Sequence, residues 1–201
     1  MGERIAVLVS GSGTNLQALL DHPVCGPRIA LVVSDRPEAG GLRRAEVRGV
    51  ETEVLQPDTF ADRDAFDHAL ADLLRQRGID VVVTAGYLRL LGPAVLGAYG
   101  GRILNVHPSL LPAFPGMHAV ADALAHGVKV TGVTVFVVDE GIDTGPIVLQ
   151  EAIEVRADDD WDSLEARVHE VEHRLLPEAA AALVEGRLRT DGRVVTIGNG
   201  R

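Results

Sequence analysis

A polar cluster suited to carbonyl chemistry lies in the segment Asn105–Pro112, which reads Asn-Val-His-Pro-Ser-Leu-Leu-Pro. It follows the apolar residues Ile103 and Leu104, so its amide and imidazole side chains are expected where a buried strand ends. Asn105 and His107 are two residues apart, which places both side chains on one face if the strand continues. Groups of this kind can donate hydrogen bonds to an oxyanion and can move a proton.

A second polar loop, Asp139–Pro146, supplies carboxylates after another apolar strand. It contains Asp139, Glu140 and Asp143, and composition alone does not choose among them. A carboxylate close to an imidazole favours the protonated ring, which is the better acid. His107 alone could simply cap backbone groups, and acidic loops are usually solvated. The amide, the imidazole and a carboxylate together nevertheless indicate an enzyme that polarises a carbonyl group.

A glycine-rich turn, Ser10–Asn15, separates the first apolar strand from the first helix. Glycines let backbone N–H groups approach an anion, and a helix N-terminus adds partial positive charge. Thr14 and Asn15 can donate hydrogen bonds or cap the helix. The turn lacks the third glycine of a dinucleotide site and the Gly-Lys-Ser/Thr of a P-loop. A single phosphate group is therefore a better ligand than a dinucleotide or ATP, and an ordinary tight turn is the alternative.

The bulk composition limits the choice of partners. Acidic residues outnumber basic ones by 29 to 19, which argues against a broad nucleic-acid surface. No basic segment with a long apolar core opens the chain, and Arg89 interrupts its longest apolar region. We therefore expect no signal peptide, no membrane partner and a cytoplasmic location. The lone Cys25 excludes an intramolecular disulfide and is expected to be a buried filler.

Apolar runs alternate with helical patterns along the first half of the chain. This order predicts the α/β class, with a mostly parallel twisted sheet flanked by helices on both faces. Right-handed crossovers then bring the carboxyl ends of the strands to one edge, where open α/β sheets bind ligands. No linker divides the chain, so we expect a single domain, 1–201. The predicted strands are Ile5–Val9, Ile29–Ser34, Thr52–Leu55, Asp80–Thr84, Arg102–Val106, Val130–Val138, Ile147–Val155 and an edge strand Arg193–Ile197; the predicted helices are 16–20, 40–48, 62–77, a short helix ending at His126, and 161–185.

These motifs resemble those of the folate-dependent formyltransferases. The resemblance covers nearly the whole chain and rests on Ser10–Asn15, Tyr87–Leu91, Asn105–Pro112 and Asp143–Pro146. The pairing of Asn-x-His-Pro-Ser-Leu-Leu-Pro with a downstream Asp-x-Gly-Pro is highly specific to this family. It implies a Rossmann-like formyltransferase fold, small-molecule substrates, no metal, and transfer of a formyl group from 10-formyltetrahydrofolate to an amine. The glycine loop and compact length favour the branch that formylates glycinamide ribonucleotide in de novo purine biosynthesis.

The resemblance also implies residue roles. It makes Asn105, His107 and Asp143 the catalytic set. It implies a phosphate-binding half over about 1–100 and a folate-binding and catalytic half over about 101–201. Phe136 departs from the histidine that relatives often carry, so no role is transferred to it. The residues implied to bind the ribonucleotide are Gly13, Thr14, Asn15 and Glu172, and those implied to bind folate are Arg63, Leu88, Arg89, Leu90, Leu91, Asn105, Glu140, Gly141, Ile142 and Asp143.

Three other functions stay open. Methionyl-tRNA formyltransferase normally adds a C-terminal RNA-binding domain, whereas only residues 188–201 follow the last predicted helix. A 10-formyltetrahydrofolate hydrolase normally carries an N-terminal regulatory domain, whereas this chain starts on its first strand. A nucleotide-sensing module without activity would not need Asn105, His107 and Asp143 together. Apolar residues late in the chain fit either the core or a homodimer interface.

Overall fold

The computed structural model describes residues 2–198, so Met1 and residues 199–201 of the expected domain lie outside the described residues. The strands and helices alternate through most of this length. Their bounds are β1 Ile5–Val9, α1 Thr14–Asp21, β2 Ile29–Ser34, α2 Gly40–Val47, β3 Glu51–Val54, α3 Arg63–Gln76, β4 Val81–Thr84, α4 Pro93–Tyr99, β5 Ile103–His107, α5 Ala119–His126, β6 Val130–Val137, β7 Ile147–Glu154, α6 Trp161–Val184, β8 Leu188–Asp191 and β9 Val194–Ile197.

Seven strands form one sheet in the order β3-β2-β1-β4-β5-β6-β7. The first five strands of the chain pair in parallel, while β6 pairs antiparallel with both β5 and β7. The predicted mostly parallel α/β sheet is therefore confirmed. The carboxyl ends of β1, β4 and β5 lie at the same edge, which brings the glycine-rich turn and the Asn105–Pro112 segment to one rim.

Alternate residues of β1 pack on opposite faces of the sheet. Ile5, Val7 and Val9 belong to the core cluster that contains apolar side chains of α1, α2, α5 and α6. Ala6 and Leu8 belong to the second cluster, with side chains of α3 and α4. All five are fully buried, as a continuous apolar run predicts for a parallel strand covered on both sides.

Side-chain caps define two of the helices. Asp62 accepts a hydrogen bond from the Ala65 backbone and caps α3, so the predicted helix 62–77 is confirmed with its end residues acting as caps. Asp160 and Ser163 form a reciprocal capping box at the start of α6. Of the two options for Thr14 and Asn15, capping of α1 does not occur, because that helix starts after Gly13 without a side-chain cap, whereas Asn15 donates a side-chain hydrogen bond to Glu172.

Two features differ from the sequence prediction. Helix α4 was missed, although Pro93 at its first turn is a common helix start. The predicted edge strand is real, but it pairs with β8 in a separate two-stranded sheet instead of joining the main one. The two-residue turn between them is Gly192-Arg193, and Gly192 has φ 56°, a left-handed conformation of the kind that tight hairpin turns require.

Three further predictions concern Cys25, the apolar residues late in the chain and membrane spans. Cys25 is buried, its thiol contacts the Pro177 carbonyl oxygen at 3.4 Å, and burial raises its pKa to about 12, which suits an inert filler. Most apolar side chains late in α6 pack into the core of the chain itself, among them Ala179, Ala180, Ala181, Leu183 and Val184. A homodimer therefore stays a prediction. Among residues 2–198, no helix is long and apolar enough to cross a membrane.

Candidate active site

Asn105 lies in the middle of β5, and its amide oxygen is hydrogen-bonded to the neighbouring strand β4. The Thr84 hydroxyl on β4 lies 2.6 Å from Asn105 Oδ1 and 3.1 Å from the Leu104 carbonyl oxygen. Since the hydroxyl has one proton and the amide contact is shorter, Thr84 orients the amide oxygen toward β4. The amide nitrogen makes no hydrogen bond to another residue within 2–198, so it can donate to a ligand. Thr84 is a site residue that sequence reasoning missed.

The His107 imidazole is buried, with an exposed fraction of 4%, and both of its ring nitrogens lie near oxygen acceptors. Nε2 is 2.8 Å from the Phe114 carbonyl oxygen, which can only accept, so Nε2 carries a proton. Nδ1 is 3.5 Å from Asp143 Oδ2. A neutral imidazole has a single N–H, so only the imidazolium can face both oxygens as a donor.

Asp143 is held by its own backbone and by the turn that follows β5. Its φ of 54° lies in the left-handed region, which aspartate and asparagine tolerate better than most residues. Asp143 Oδ2 accepts a hydrogen bond of 2.7 Å from the Gly116 backbone N–H. The distance of 3.5 Å between Asp143 Oδ2 and His107 Nδ1 is longer than a direct hydrogen bond.

The turn between His107 and Gly116 is anchored to β6 and β7 by buried polar groups. The Thr134 hydroxyl donates to the Ser109 carbonyl oxygen at 2.7 Å and accepts from the Leu111 N–H at 3.1 Å. The Gln150 amide donates to the Leu111 carbonyl oxygen at 3.0 Å and to the Thr134 hydroxyl at 2.8 Å. The peptide bond between Leu111 and Pro112 is cis. This network fixes the His107 ring relative to Asp143.

The glycine-rich turn packs closely against α2. Gly13 has φ 74°, and a Cβ at this position would lie 2.5 Å from the Gly41 Cα. The Arg44 guanidinium donates from Nε to the Ser12 carbonyl oxygen at 2.8 Å. Thr14 opens α1, whose N-terminal N–H groups are available to an anion.

Asn15 links this turn to the middle of α6. Its amide donates to Glu172 Oε2 at 2.8 Å, across 157 residues of sequence. Both side chains are more than nine-tenths buried. Burial raises the pKa of the Glu172 carboxyl group, and the hydrogen bond from Asn15 opposes this effect. The structure thus brings together the two ends of the predicted ribonucleotide site.

Large apolar side chains are exposed around the predicted folate pocket. Leu88 and Leu90 are 50% and 55% exposed after β4, and Ile142 is 54% exposed in the loop that carries Asp143. Met117, which directly follows Gly116, is 71% exposed and was not predicted as a site residue. Leu91, in contrast, is partly buried and packs against the core, so it supports the loop. Exposed apolar groups at such a rim suit a flat aromatic ligand.

Two arginines flank these apolar groups. Arg63 at the start of α3 donates to the Leu90 carbonyl oxygen at 3.3 Å. Arg89 pairs with the buried Asp35 at 2.9 Å and lies over the Phe66 ring at 5.9 Å. Both arginines are solvent-exposed, so their remaining N–H groups can bind carboxylates.

The three carboxylates of the loop Asp139–Pro146 have different surroundings. Asp139 Oδ1 accepts hydrogen bonds from the Gly141 N–H and the Thr144 hydroxyl, so it organises the loop itself. Glu140 is exposed, and the geometry does not bring it to the imidazole. Asp143 is the carboxylate next to His107, which resolves the choice that composition left open. Phe136 is buried in β6 opposite Asn105 and packs in the core.

The glycine-rich turn and the imidazole are separated by one intervening strand. Turn residues follow β1, His107 ends β5, and β4 lies between them. Two strand spacings amount to about 10 Å. The arrangement can therefore hold one ligand with an anionic group at β1 and a reacting group at β5.

Comparisons with known proteins agree with this geometry. The family model described as formyl transferase matches residues 3–180. Phosphoribosylglycinamide formyltransferase of Mycobacterium tuberculosis is 46% identical over 206 residues, covering 97% of this chain and 94% of the relative. The enzyme of that name from Bacillus subtilis is 42% identical over 185 residues, covering 90% and 95%. A solved structure of glycinamide ribonucleotide transformylase 1 from Symbiobacterium toebii superposes with a TM-score of 0.95 at 50% identity, covering 98% of this chain and 95% of that one.

The match to the family model spans most of the chain and includes the strand-end residues Asn105 and His107 together with Asp143. The two curated relatives extend the likeness to at least nine-tenths of its length. The chain belongs to the formyl transferase family.

Proposed function

We propose that this protein is a phosphoribosylglycinamide formyltransferase, which transfers the formyl group of 10-formyltetrahydrofolate to the amine of glycinamide ribonucleotide in de novo purine biosynthesis. The names of the similar proteins support this substrate pair. The main support for the proposal is that two groups of residues share one edge of the sheet. The glycine-rich turn after β1, which can bind an anion, lies about two strand spacings from the His107 and Asp143 pair. A phosphoribosyl group with a glycinamide arm is of comparable length.

The ribonucleotide phosphate is assigned to the glycine-rich turn. Backbone N–H groups from Gly13 to Asn15 and the N-terminus of α1 supply donors and partial positive charge. Glu172, held by Asn15, accepts hydrogen bonds from hydroxyl groups of the same ligand. We assign this role to the first half of the sheet, 1–100, with Glu172 contributed from α6 in the second half, 101–201.

Substituting Gly13 tests the turn. In Gly13→Ala, the left-handed backbone costs about 1–2 kcal/mol. The added Cβ also meets Gly41, so we expect a larger loss of stability and a raised KM for the ribonucleotide. Gly49→Ala is a matched control, since Gly49 has φ 69° but its Cβ would meet nothing within 4 Å. Urea unfolding and KM are measured for both; equal stabilities and equal KM values would contradict the tight packing of the turn.

The folate co-substrate is assigned to the apolar rim beside the catalytic groups. Leu88, Leu90 and Ile142 offer exposed apolar surface for the flat ring system. Arg63 and Arg89 have exposed guanidinium groups that can bind the carboxylates of the folate tail. We propose that the remaining predicted folate residues, Leu91, Glu140 and Gly141, shape the two loops that form this pocket.

The chemical step is direct attack by the substrate amine on the formyl carbon. A C–N bond forms and the carbonyl oxygen becomes an oxyanion, which the Asn105 amide and the protonated His107 ring stabilise. The bond from carbon to the folate N10 then breaks and expels tetrahydrofolate. No nucleophilic side chain is needed: Ser109, the nearest hydroxyl to His107 in sequence, is buried and donates to the Ala113 carbonyl oxygen.

Proton balance requires one transfer. The attacking amine loses a proton, and the departing folate nitrogen gains one. Asp143 can accept the proton from the amine, directly or through water, and deliver it toward the leaving nitrogen. Its Oδ2 lies 3.5 Å from His107 Nδ1, so the two groups face the same reacting atoms. We retain a cytoplasmic location as part of this proposal.

A single assay separates the candidate functions. Formation of tetrahydrofolate from 10-formyltetrahydrofolate is followed spectrophotometrically with and without glycinamide ribonucleotide. Product that depends on the ribonucleotide supports the proposal. Product in its absence would identify a hydrolase, dependence on methionyl-tRNA would identify the tRNA enzyme, and no product in any mixture would favour a binding module.

A further inference from the structure

The C-terminal hairpin, β8–β9, contacts the loop that carries Asp143 through an arginine. The Arg193 guanidinium donates from Nη2 to the Thr144 carbonyl oxygen at 2.8 Å, across 49 residues of sequence. Among residues 2–198, this is the only hydrogen bond between the hairpin and the loop Asp139–Pro146. Thr144 directly follows Asp143, so the contact lies one residue from a group assigned to the chemical step.

Apolar packing fixes the hairpin against the body of the protein. Leu188, Val195 and Ile197 lie on one face of the two strands, as a period of two residues predicts, and pack against the main core. β9 also lies beside β7, the edge strand of the main sheet. Arg193 occupies the second position of the tight turn, so the paired strands hold its backbone on both sides. The guanidinium therefore reaches the loop from a fixed base.

The segment after the catalytic carboxylate is also held from two other directions. The Thr144 hydroxyl donates to Asp139 Oδ1 at 2.7 Å, within the loop itself. The Pro146 carbonyl oxygen accepts from the Val137 N–H at 2.9 Å, which ties the end of the loop to β6. Neither contact involves the Thr144 carbonyl group, whose direction sets the peptide plane that follows it. Arg193 supplies the anchor for this peptide.

The position of Asp143 depends on this segment. Its carboxylate accepts from the Gly116 N–H at 2.7 Å and lies 3.5 Å from His107 Nδ1. Rotation of the peptide plane that follows Thr144 changes the backbone next to Asp143 and shifts the carboxylate relative to both partners. Displacement of a reacting group by about 1 Å can lower a rate ~10²-fold, so an anchor outside the site can affect the chemical step.

Resting on the proposed function, we propose that Arg193 is a positioning residue for formyl transfer. By holding the Thr144 carbonyl group, it lets the C-terminal hairpin keep the Asp143 carboxylate beside His107. The contact is solvent-exposed and is one of several anchors of the loop. The expected effect on the rate is therefore smaller than the loss caused by removing a reacting group.

Arg193→Met removes the donors and keeps much of the length of the side chain. We expect kcat to fall about five- to tenfold, with KM for the ribonucleotide within about twofold of wild type, since its assigned site follows β1. Arg193→Lys retains a donor and should recover most of the lost rate. Arg189→Met is the matched control, because Arg189 lies in the same hairpin and donates to the nearby Gly186 and Leu188 carbonyl oxygens; its kcat should match wild type. A raised folate KM with unchanged kcat in Arg193→Met would overturn the proposal, because Arg193 would then be a ligand contact.

A double-mutant cycle determines whether Arg193 acts through Asp143. In the Asp143→Asn background, Arg193→Met should change kcat by less than about twofold, because the carboxylate that it positions is already absent. A loss of equal size in both backgrounds would show that the two residues act independently and would overturn the proposal. Urea unfolding of each variant ensures that folded proteins are compared.

Hydrogen exchange tests the anchor without turnover. Backbone amides of residues 139–145 should exchange faster in Arg193→Met than in the wild type, because the loop opens more readily, and Arg189→Met should leave them unchanged. Equal exchange in all three proteins would overturn the anchoring role of Arg193. Absence of ribonucleotide-dependent turnover in the wild type would instead overturn the proposed function, and with it the catalytic consequence of the anchor, while the exchange comparison would still decide whether Arg193 holds the loop.

Discussion

Replacing His107 with alanine is expected to lower kcat for formyl transfer by ~10²-fold or more, the usual loss when a general acid or oxyanion donor is removed. The ring lies 2.8 Å from the Phe114 carbonyl oxygen and 3.5 Å from the Asp143 carboxylate. The variant therefore loses the donor to the Phe114 carbonyl oxygen and the ring nitrogen that faces Asp143. kcat is measured with both substrates saturating, so that a change in substrate affinity does not affect the measured rate.

A second variant guards against a folding defect. His107 is buried, and alanine leaves the Phe114 carbonyl oxygen without its donor, which lowers stability. His107→Gln keeps an amide donor but cannot carry a charge. We expect His107→Gln to unfold near the wild-type urea midpoint and still to lose ~10²-fold in kcat. Turnover close to wild type in either folded variant would contradict the role of His107 as the acid.

The parts of the fold that were predictable depend on local patterns. The apolar run of β1 and the helical period of α3 each identify an element within a residue of its observed bounds. Parallel order then follows from the alternation of strands and helices, and it places the ends of β1 and β5 at one rim. The sequence therefore predicted the position of those parts of the site that follow the ends of strands.

The choice of carboxylate was not predictable from the residues alone, because it depends on contacts between distant loops. Asp139 and Asp143 are alike in composition, and only the family resemblance distinguished them. In the structure, Asp139 accepts from groups of its own loop, whereas Asp143 accepts from Gly116, 27 residues away. The orienting hydroxyl of Thr84 was missed for the same reason, since its pairing with Asn105 requires the register of β4 and β5.

The C-terminal hairpin was predicted only in part, because its strand was expected but its pairing partner was not. The apolar character of residues 194–197 predicts a strand, and an edge position in the main sheet was the simplest place for it. The chain instead pairs β9 with β8, because a two-residue turn at Gly192 makes the local partner accessible at little entropic cost. Arg193 in that turn donates to the Thr144 carbonyl oxygen at 2.8 Å, so the hairpin contacts the loop that carries Asp143.

Asp143→Asn is the second substitution with a large expected effect, and the structure makes it a clean change of charge. Asparagine tolerates the left-handed backbone at φ 54°, and its amide oxygen can still accept from the Gly116 N–H. We expect kcat/KM to fall by ~10²-fold, since the proton relay and the partner of the imidazolium are both lost. The measurement is kcat/KM from pH 5 to 9.5, with stability checked by urea unfolding.

The shape of the pH profile carries the stronger test. Asparagine cannot exchange a proton with the reacting groups, so we expect the dependence of kcat/KM on pH to differ between Asp143→Asn and the wild type. Asp139→Asn removes a charge from the same loop but leaves the carboxylate beside His107 in place, so its profile should match wild type. An unchanged pH dependence and amplitude in Asp143→Asn would show that the two side chains do not act together, and Asp143 would then be a residue that only positions the loop.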